Sequence, residues 1–161
     1  MEERAVFWGL SQLNGWGQMR LNREMKKRGV LPEELLRQHA GALPFPLTEL
    51  PDRWQDVLDR THALGGQIIS WNDAAYPLGL TELPDAPNLL HVKGQISAWN
   101  RPLIAVVGTR RCSDAAARWA YRVGAQIAAA GGTLVSGLAL GIDIAAMLGA
   151  PDAGGPVVAC L

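Results

Sequence analysis

Cysteine is nearly absent from this sequence. Cys112 and Cys160 are the only two in 161 residues. They stand far apart with no second Cys or His at metal-ligand spacing, which excludes a disulfide framework and the usual zinc sites. Both read as small buried hydrophobes. Long apolar runs are missing too: nothing approaches the ~18 consecutive apolar residues of a membrane span. The opening Met1-Glu2-Glu3-Arg4 is charged and leads into no signal-peptide run, so the expected location is the cytoplasm, with no membrane partner. The three histidines, His39, His62 and His91, are scattered. No base stands beside an activatable nucleophile and no metal-ligand cluster is legible, so the sequence predicts no catalytic residue, no metal and no cofactor. Net charge is lacking as well, since 15 Lys and Arg balance 15 Asp and Glu, which argues against bulk electrostatic attraction to nucleic acid.

What is present is local clustering. Arg101, Arg110, Arg111, Arg118 and Arg122 fall in one stretch whose only acid is Asp114. Arg20, Arg23, Lys26, Lys27 and Arg28 gather around Glu24, a cluster that reads equally well as a solvated helix face. With 48% apolar and 19% charged residues, the chain has the composition of a soluble globular protein, long enough for one medium domain or two small ones.

Along the chain, Trp8 to Arg28 reads as helix, tight turn over Asn14-Gly15-Trp16-Gly17, and helix. Gly29 ends the second helix, and Pro32 opens a third that runs on from Glu33 to His39. A fourth is expected from Asp52 to Leu64, stopped by Gly65-Gly66. Residues 1–66 are therefore expected to form a small helical domain. Over 67–100, Ile68-Ile69 and Leu89-Leu90-His91-Val92 read as short strands on either side of a Pro-rich connection, a linker with a small β-element. From 101 the pattern changes. Leu103 to Val107 is a continuous apolar run, expected as a strand buried on both faces. Ser113-Asp114 supplies a helix cap and a first-turn acid for a helix reaching Gly131-Gly132. Thr133-Leu134-Val135, a helix from about Ile142 to Leu148, and Val157-Val158-Ala159 follow. The order β-α-β-α-β is that of the first half of a doubly wound α/β sheet. At Leu161 such a fold is half built, so either a longer protein continues it or the sheet edge pairs with something.

In that architecture ligands bind at the carboxyl ends of the strands, which brings Gly108-Thr109-Arg110-Arg111-Cys112-Ser113 beside Ser136-Gly137-Leu138-Ala139-Leu140-Gly141. The first loop is no dinucleotide fingerprint: Arg110 stands where the second glycine would admit a pyrophosphate, and Ser113 replaces the third. The second strand ends in Ser136-Gly137, without an acid to grip a ribose, which argues against NAD. An arginine, a hydroxyl, small residues and two helix N-termini together make chemistry for holding phosphates. The small residues Gly137, Ala139 and Gly141 also fit tight packing alone, and Asp143 reads as a first-turn acid that complements the helix dipole.

These residues resemble the DNA-processing protein A (Smf) family, marked by a V-G-S/T-R turn, an S-G-x-A-x-G-I-D segment and a preceding Y-P-x-x-L…P-x-x-L stretch with a glycine after it. Here they stand as Val107 to Arg110, Ser136 to Asp143, and Tyr76 to Leu80 with Pro87 to Leu90 and Gly94. The resemblance implies a sterile-alpha-motif-like or helix-hairpin-helix-like domain, loosely matched by Leu13 to Gly17, ahead of an extended Rossmann fold. It also implies binding of single-stranded DNA without cutting it, protection of DNA taken up in transformation, loading of the RecA recombinase, and a homodimer in the full-length form. By motif, Arg110 would be a phosphate ligand flanked by Gly108, Thr109 and Arg111, with Ser136, Gly137 and Gly141 shaping the adjoining pocket. The chain departs from the family at Met147, where a histidine is usual. Two other readings remain open: a nucleotide-processing Rossmann enzyme, which would need a later P-G-G-x-G-T-x-x-E segment, and a protein-interaction role for the helical domain, in which Trp16 touches a partner or simply plugs the core.

Overall fold

Helix α1 (Glu3–Ser11) begins five residues before the expected Trp8, because Ala5, Val6 and Phe7 already belong to the buried face that continues through Leu10. Helix α2 (Gln18–Arg28) closes on Gly29, whose left-handed φ of 58° is the common helix-ending conformation. Helix α3 (Pro32–Gln38) has its proline in the first turn, and α4 (Leu50–Ala63) follows two short 3₁₀ turns. The computed structural model describes residues 1–161 apart from the side chains of Lys27 and Arg28, so those two members of the N-terminal basic cluster lie outside the described residues.

The chain divides into two compact units, Met1–Gly94 and Gln95–Leu161. In the first, Phe7, Leu10, Leu21, Leu35, Leu36 and Leu50 are almost wholly buried in one cluster, and burying a side chain of that size stabilises by about 1.5–3 kcal/mol each. Strands β1 (Gly66–Ser70) and β2 (Leu89–Lys93) pair antiparallel with Ile68 opposite His91. Ile68 packs with Ala5 and Trp54, joining the hairpin to α1 and α4. The Pro-rich connection between the two strands contains a short helix α5 (Leu78–Thr81). It is also tied down. The buried Tyr76 donates its hydroxyl to the Pro87 carbonyl at 2.7 Å, and the buried Asn22 of α2 donates to the Ala86 carbonyl at 2.9 Å.

In the second unit, β3 (Leu103–Ala105), α6 (Asp114–Ala129), β4 (Thr133–Ser136), α7 (Ile142–Asp152) and β5 (Val157–Ala159) alternate. The strands form a parallel sheet in the order β3-β4-β5. The core consists of Ala120, Ile127, Leu134, Ala146, Met147 and Ala150. Here the helices meet backbone to backbone: a Cβ on Gly124 would lie 2.0 Å from the Ala146 carbonyl oxygen, and one on Gly149 would lie 1.9 Å from that of Tyr121.

The expectation that Leu103 to Val107 is buried on both faces fails. Leu103 is 48%, Ile104 42% and Val107 72% exposed. Among the described residues β3 pairs with β4 alone, whereas β4 is flanked on both sides and carries the fully buried Leu134. The expectation of buried cysteines fails as well. Cys160 is exposed and Cys112 partly so, because both sit in the segments that leave the ordered elements and not on their core faces.

Candidate phosphate-binding rim

Because β3 and β4 run parallel, their carboxyl ends open at one edge, and the turns that follow them meet there. The amide of Ile142 donates to the Thr109 carbonyl at 3.3 Å. Gly141 lies so close that a Cβ would come within 2.3 Å of the same oxygen, and its φ of 91° with ψ of −125° is a conformation reserved for glycine. On the other side, a Cβ on Gly108 would collide with Ile142 at 2.7 Å. Leu138 also holds a positive φ of 55°, a rare conformation for a leucine and a local strain that the surrounding contacts must hold in place.

Asp143 joins the two turns. Its carboxylate is 4% exposed and accepts the Gly108 amide at 3.0 Å, together with the amides of Ala139 and Gly137. Burial by itself raises the pKa of such a carboxyl. Here the hydrogen bonds from Gly108, from the Ser136 side chain and from the Ala139 and Gly137 amides outweigh it and hold the group below the usual aspartate range. The Ser136 hydroxyl has only one hydrogen, and it donates to the Val106 carbonyl at 2.6 Å, so the main-chain donors carry most of that lowering. Asp143 thus does more than complement a helix dipole: it takes up the Gly108 amide of the facing turn. The signal available in sequence was the G-I-D placement directly after the glycine turn, but the burial that gives the residue its role arises only in three dimensions.

The remaining expected site residues are placed as follows. Ser136 is 3% exposed and its hydroxyl is turned inward to Val106. The amides of Gly108 and Gly137 are engaged with Asp143. The Thr109 hydroxyl closes a small turn with Arg111, accepting its amide at 3.2 Å. Ser113 caps α6 by accepting the Ala116 amide at 3.2 Å. Arg110 and Arg111 are exposed, and among the described residues neither guanidinium has a hydrogen-bond or ion-pair partner. Met147 lies in the core of the unit and away from the surface. Trp16 of the first unit packs against the helical core, 4.4 Å from the His39 ring and 4.0 Å beneath the Arg20 guanidinium. Among the described residues no group of three or more His, Cys, Asp or Glu is arranged to hold a metal, and no helix is long and apolar enough to cross a membrane.

The described residues form a mixed α/β protein in which Arg110 and Arg111 stand exposed on the turn after β3, and that turn is tied to the one after β4 through the buried Asp143. The family model for DNA recombination-mediator protein A matches residues 67–161, and the chain belongs to that family. It is 42% identical over 89 residues to the DNA processing protein DprA of Streptococcus pneumoniae, covering 55% of this chain and 31% of that protein. It is 33% identical to the Smf protein of Synechocystis over 88% of this chain and 39% of the relative, and 37% identical to Escherichia coli Smf over 78% of this chain and 33% of that protein. The chain thus spans about a third of the length of these curated relatives. The X-ray structure of DprA from S. pneumoniae superposes with a TM-score of 0.67 at 30% identity, over 94% of this chain and 55% of that one. The family's description is that of a recombination mediator and names no catalytic activity.

Proposed function

We propose that this chain forms the front part of a protein that binds single-stranded DNA without cutting it, protects incoming DNA in natural transformation, and hands it to RecA recombinase. In its full-length form it acts as a cytoplasmic homodimer. The observation that carries this reading is the pairing of Arg110 with the Asp143 clamp. A guanidinium with no protein partner stands on a turn whose backbone is tied to the neighbouring turn by a buried carboxylate. A cation held out on a rigid support costs little further ordering when a phosphate arrives.

In this reading Arg110, aided by Arg111 and Thr109, contacts phosphate, while Gly108, Ser136, Gly137 and Gly141 shape the rim around it. We further propose the modular division made from sequence. Residues 1–66 form a sterile-alpha-motif-like helical domain and 67–100 a linker with a small β-element. Residues 101–161 are the first half of an extended Rossmann sheet. Phosphate contacts position a strand but do not read bases, so binding should lack strong sequence preference. Fluorescence anisotropy of the full-length protein with single-stranded and duplex oligonucleotides tests this: preference for single strands is expected, and equal or tighter duplex binding refutes it.

A further inference from the structure

The rim leaves unused the rest of the arginine-rich stretch. Helix α6 turns Ala120, Gly124 and Ile127 inward and presents Ala115, Arg118, Trp119 and Arg122 to solvent. Trp119 is 59% exposed, although tryptophan is on average a highly buried residue. Arg118 and Arg122 lie one turn apart on a strip of the helix that adjoins Trp119, with Arg122 three residues beyond it. Neither has an acidic partner among the described residues, and Asp114 is the one acid on the helix. The nearby Asp152 of α7 is engaged with the Tyr121 hydroxyl at 2.6 Å. The helix begins at the Ser113 cap, three residues after Arg110, and Trp119 lies about 9 Å further along its axis.

We propose that this face of α6 is a second subsite for single-stranded nucleic acid, in which a base stacks on Trp119 while Arg118 and Arg122, on the adjoining strip of the helix, neutralise phosphates of the same strand. The proposal rests on the DNA-binding reading of the rim and extends the strand's path beyond Arg110. Charge decides the occupant: an apolar protein surface laid over Trp119 would bury two guanidiniums without counter-charges, which is costly. A phosphodiester strand supplies a negative charge on each side of a flat base, the combination that single-strand-binding surfaces use.

The test is anisotropy with the full-length protein, using an oligothymidylate and an abasic strand of equal length. Trp119→Ala should weaken binding of the oligothymidylate roughly 5- to 150-fold, the stacking contribution of one base, and leave the abasic strand unchanged. Trp119→Phe should keep most of the affinity. Arg118→Ala and Arg122→Ala should each lower the slope of log affinity against log salt by about 0.7. Equal effects of Trp119→Ala on both strands, no effect on either, or a changed oligomeric mass would overturn the subsite, the last by assigning the face to a protein contact. If Arg110→Ala weakens binding while Trp119→Ala does not, the subsite alone falls. If the wild type binds no single strand, the rim reading falls with it.

Discussion

The two units build their cores in opposite ways. The first packs large side chains into one another: Phe7 stands edge-on to Trp71 with ring centroids 5.9 Å apart, and Trp8 stacks on Phe45 at 5.8 Å, above the leucine cluster. The second packs backbones, with Gly124 and Gly149 letting α6 and α7 touch main chain to main chain over a core rich in alanine. One unit is therefore vulnerable to lost volume and the other to added volume. The difference suits their surfaces. Close helix contact in the second unit supports two turns whose geometry depends on glycines and a buried carboxylate, whereas no comparable constellation appears among the described residues of the first.

The largest effect expected from this contrast is at Phe7, 1% exposed in the centre of the first core. Phe7→Ala removes a buried aromatic ring and leaves a cavity, a change that costs about 3–5 kcal/mol. Denaturant unfolding followed by tryptophan fluorescence should report it, since Trp8, Trp16, Trp54 and Trp71 all lie in that unit. A loss below about 1 kcal/mol would mean the first core is loosely packed and would dissolve the contrast.

Next comes the reverse change in the second unit. Gly149→Ala adds one methyl group, yet its Cβ would need the space held by the Tyr121 carbonyl at 1.9 Å, and a backbone atom cannot swing aside as a side-chain tip can. Overpacking of this kind costs about 1–3 kcal/mol, enough to outweigh the helix propensity that alanine gains over glycine, about 1 kcal/mol. Amide hydrogen exchange across 114–152 should speed up. Protection equal to or greater than wild type would show that the helices can part without penalty.

Much of this was legible in sequence where the chemistry is local. The Ser113 cap, the glycine that ends α2, the parallel strands at Thr133 and Val157 and the rim made by two turns all follow from short-range pattern. What was not legible depends on neighbours. The run Leu103 to Val107 has the apolarity of a strand buried on both faces, yet among the described residues it pairs with β4 alone and Leu103, Ile104 and Val107 are exposed. Asp143 looks like an ordinary first-turn acid until its burial against three amides is seen. The exposure of Cys160 and the partial exposure of Cys112 escape composition, which says nothing of where a segment leaves its element. In the Pro-rich connection proline marks breaks in regular structure, while the bonds from Tyr76 and Asn22 that tie it down span 11 and 64 residues.

A smaller effect, and one that depends on pH, is expected at Asp143. Its folded-state pKa is lowered below the unfolded value, so it contributes stability that is fully present above the ordinary aspartate value of 3.8 and is lost as pH falls through the lower, folded pKa. Asp143→Asn removes the titrating group and weakens its bonds to the Gly108, Gly137 and Ala139 amides. The melting temperature of the second unit should drop at neutral pH, and the difference from wild type should shrink as the pH is taken down toward and below that range. A pH-independent difference would show that Asp143 acts through packing and not through its charge.

The smallest expected change in stability is at Arg110, and there the contrast moves from packing to function. Its guanidinium is exposed and has no partner among the described residues, so Arg110→Ala should change the unfolding free energy by no more than the roughly ±0.5 kcal/mol of ordinary surface substitutions. Binding should respond differently. Loss of one charge-assisted contact should weaken single-stranded DNA binding by about 1.5–3 kcal/mol and lower the salt slope of log affinity by about 0.7. Asp143→Asn supplies the matching control. It should weaken binding as well, since it loosens the turn that presents Arg110, but leave the salt slope nearly intact because it removes no phosphate contact. If Arg110→Ala lowered the melting temperature and left affinity and salt slope untouched, Arg110 would be a structural residue, and the anion-binding surface would have to be sought elsewhere in the unit.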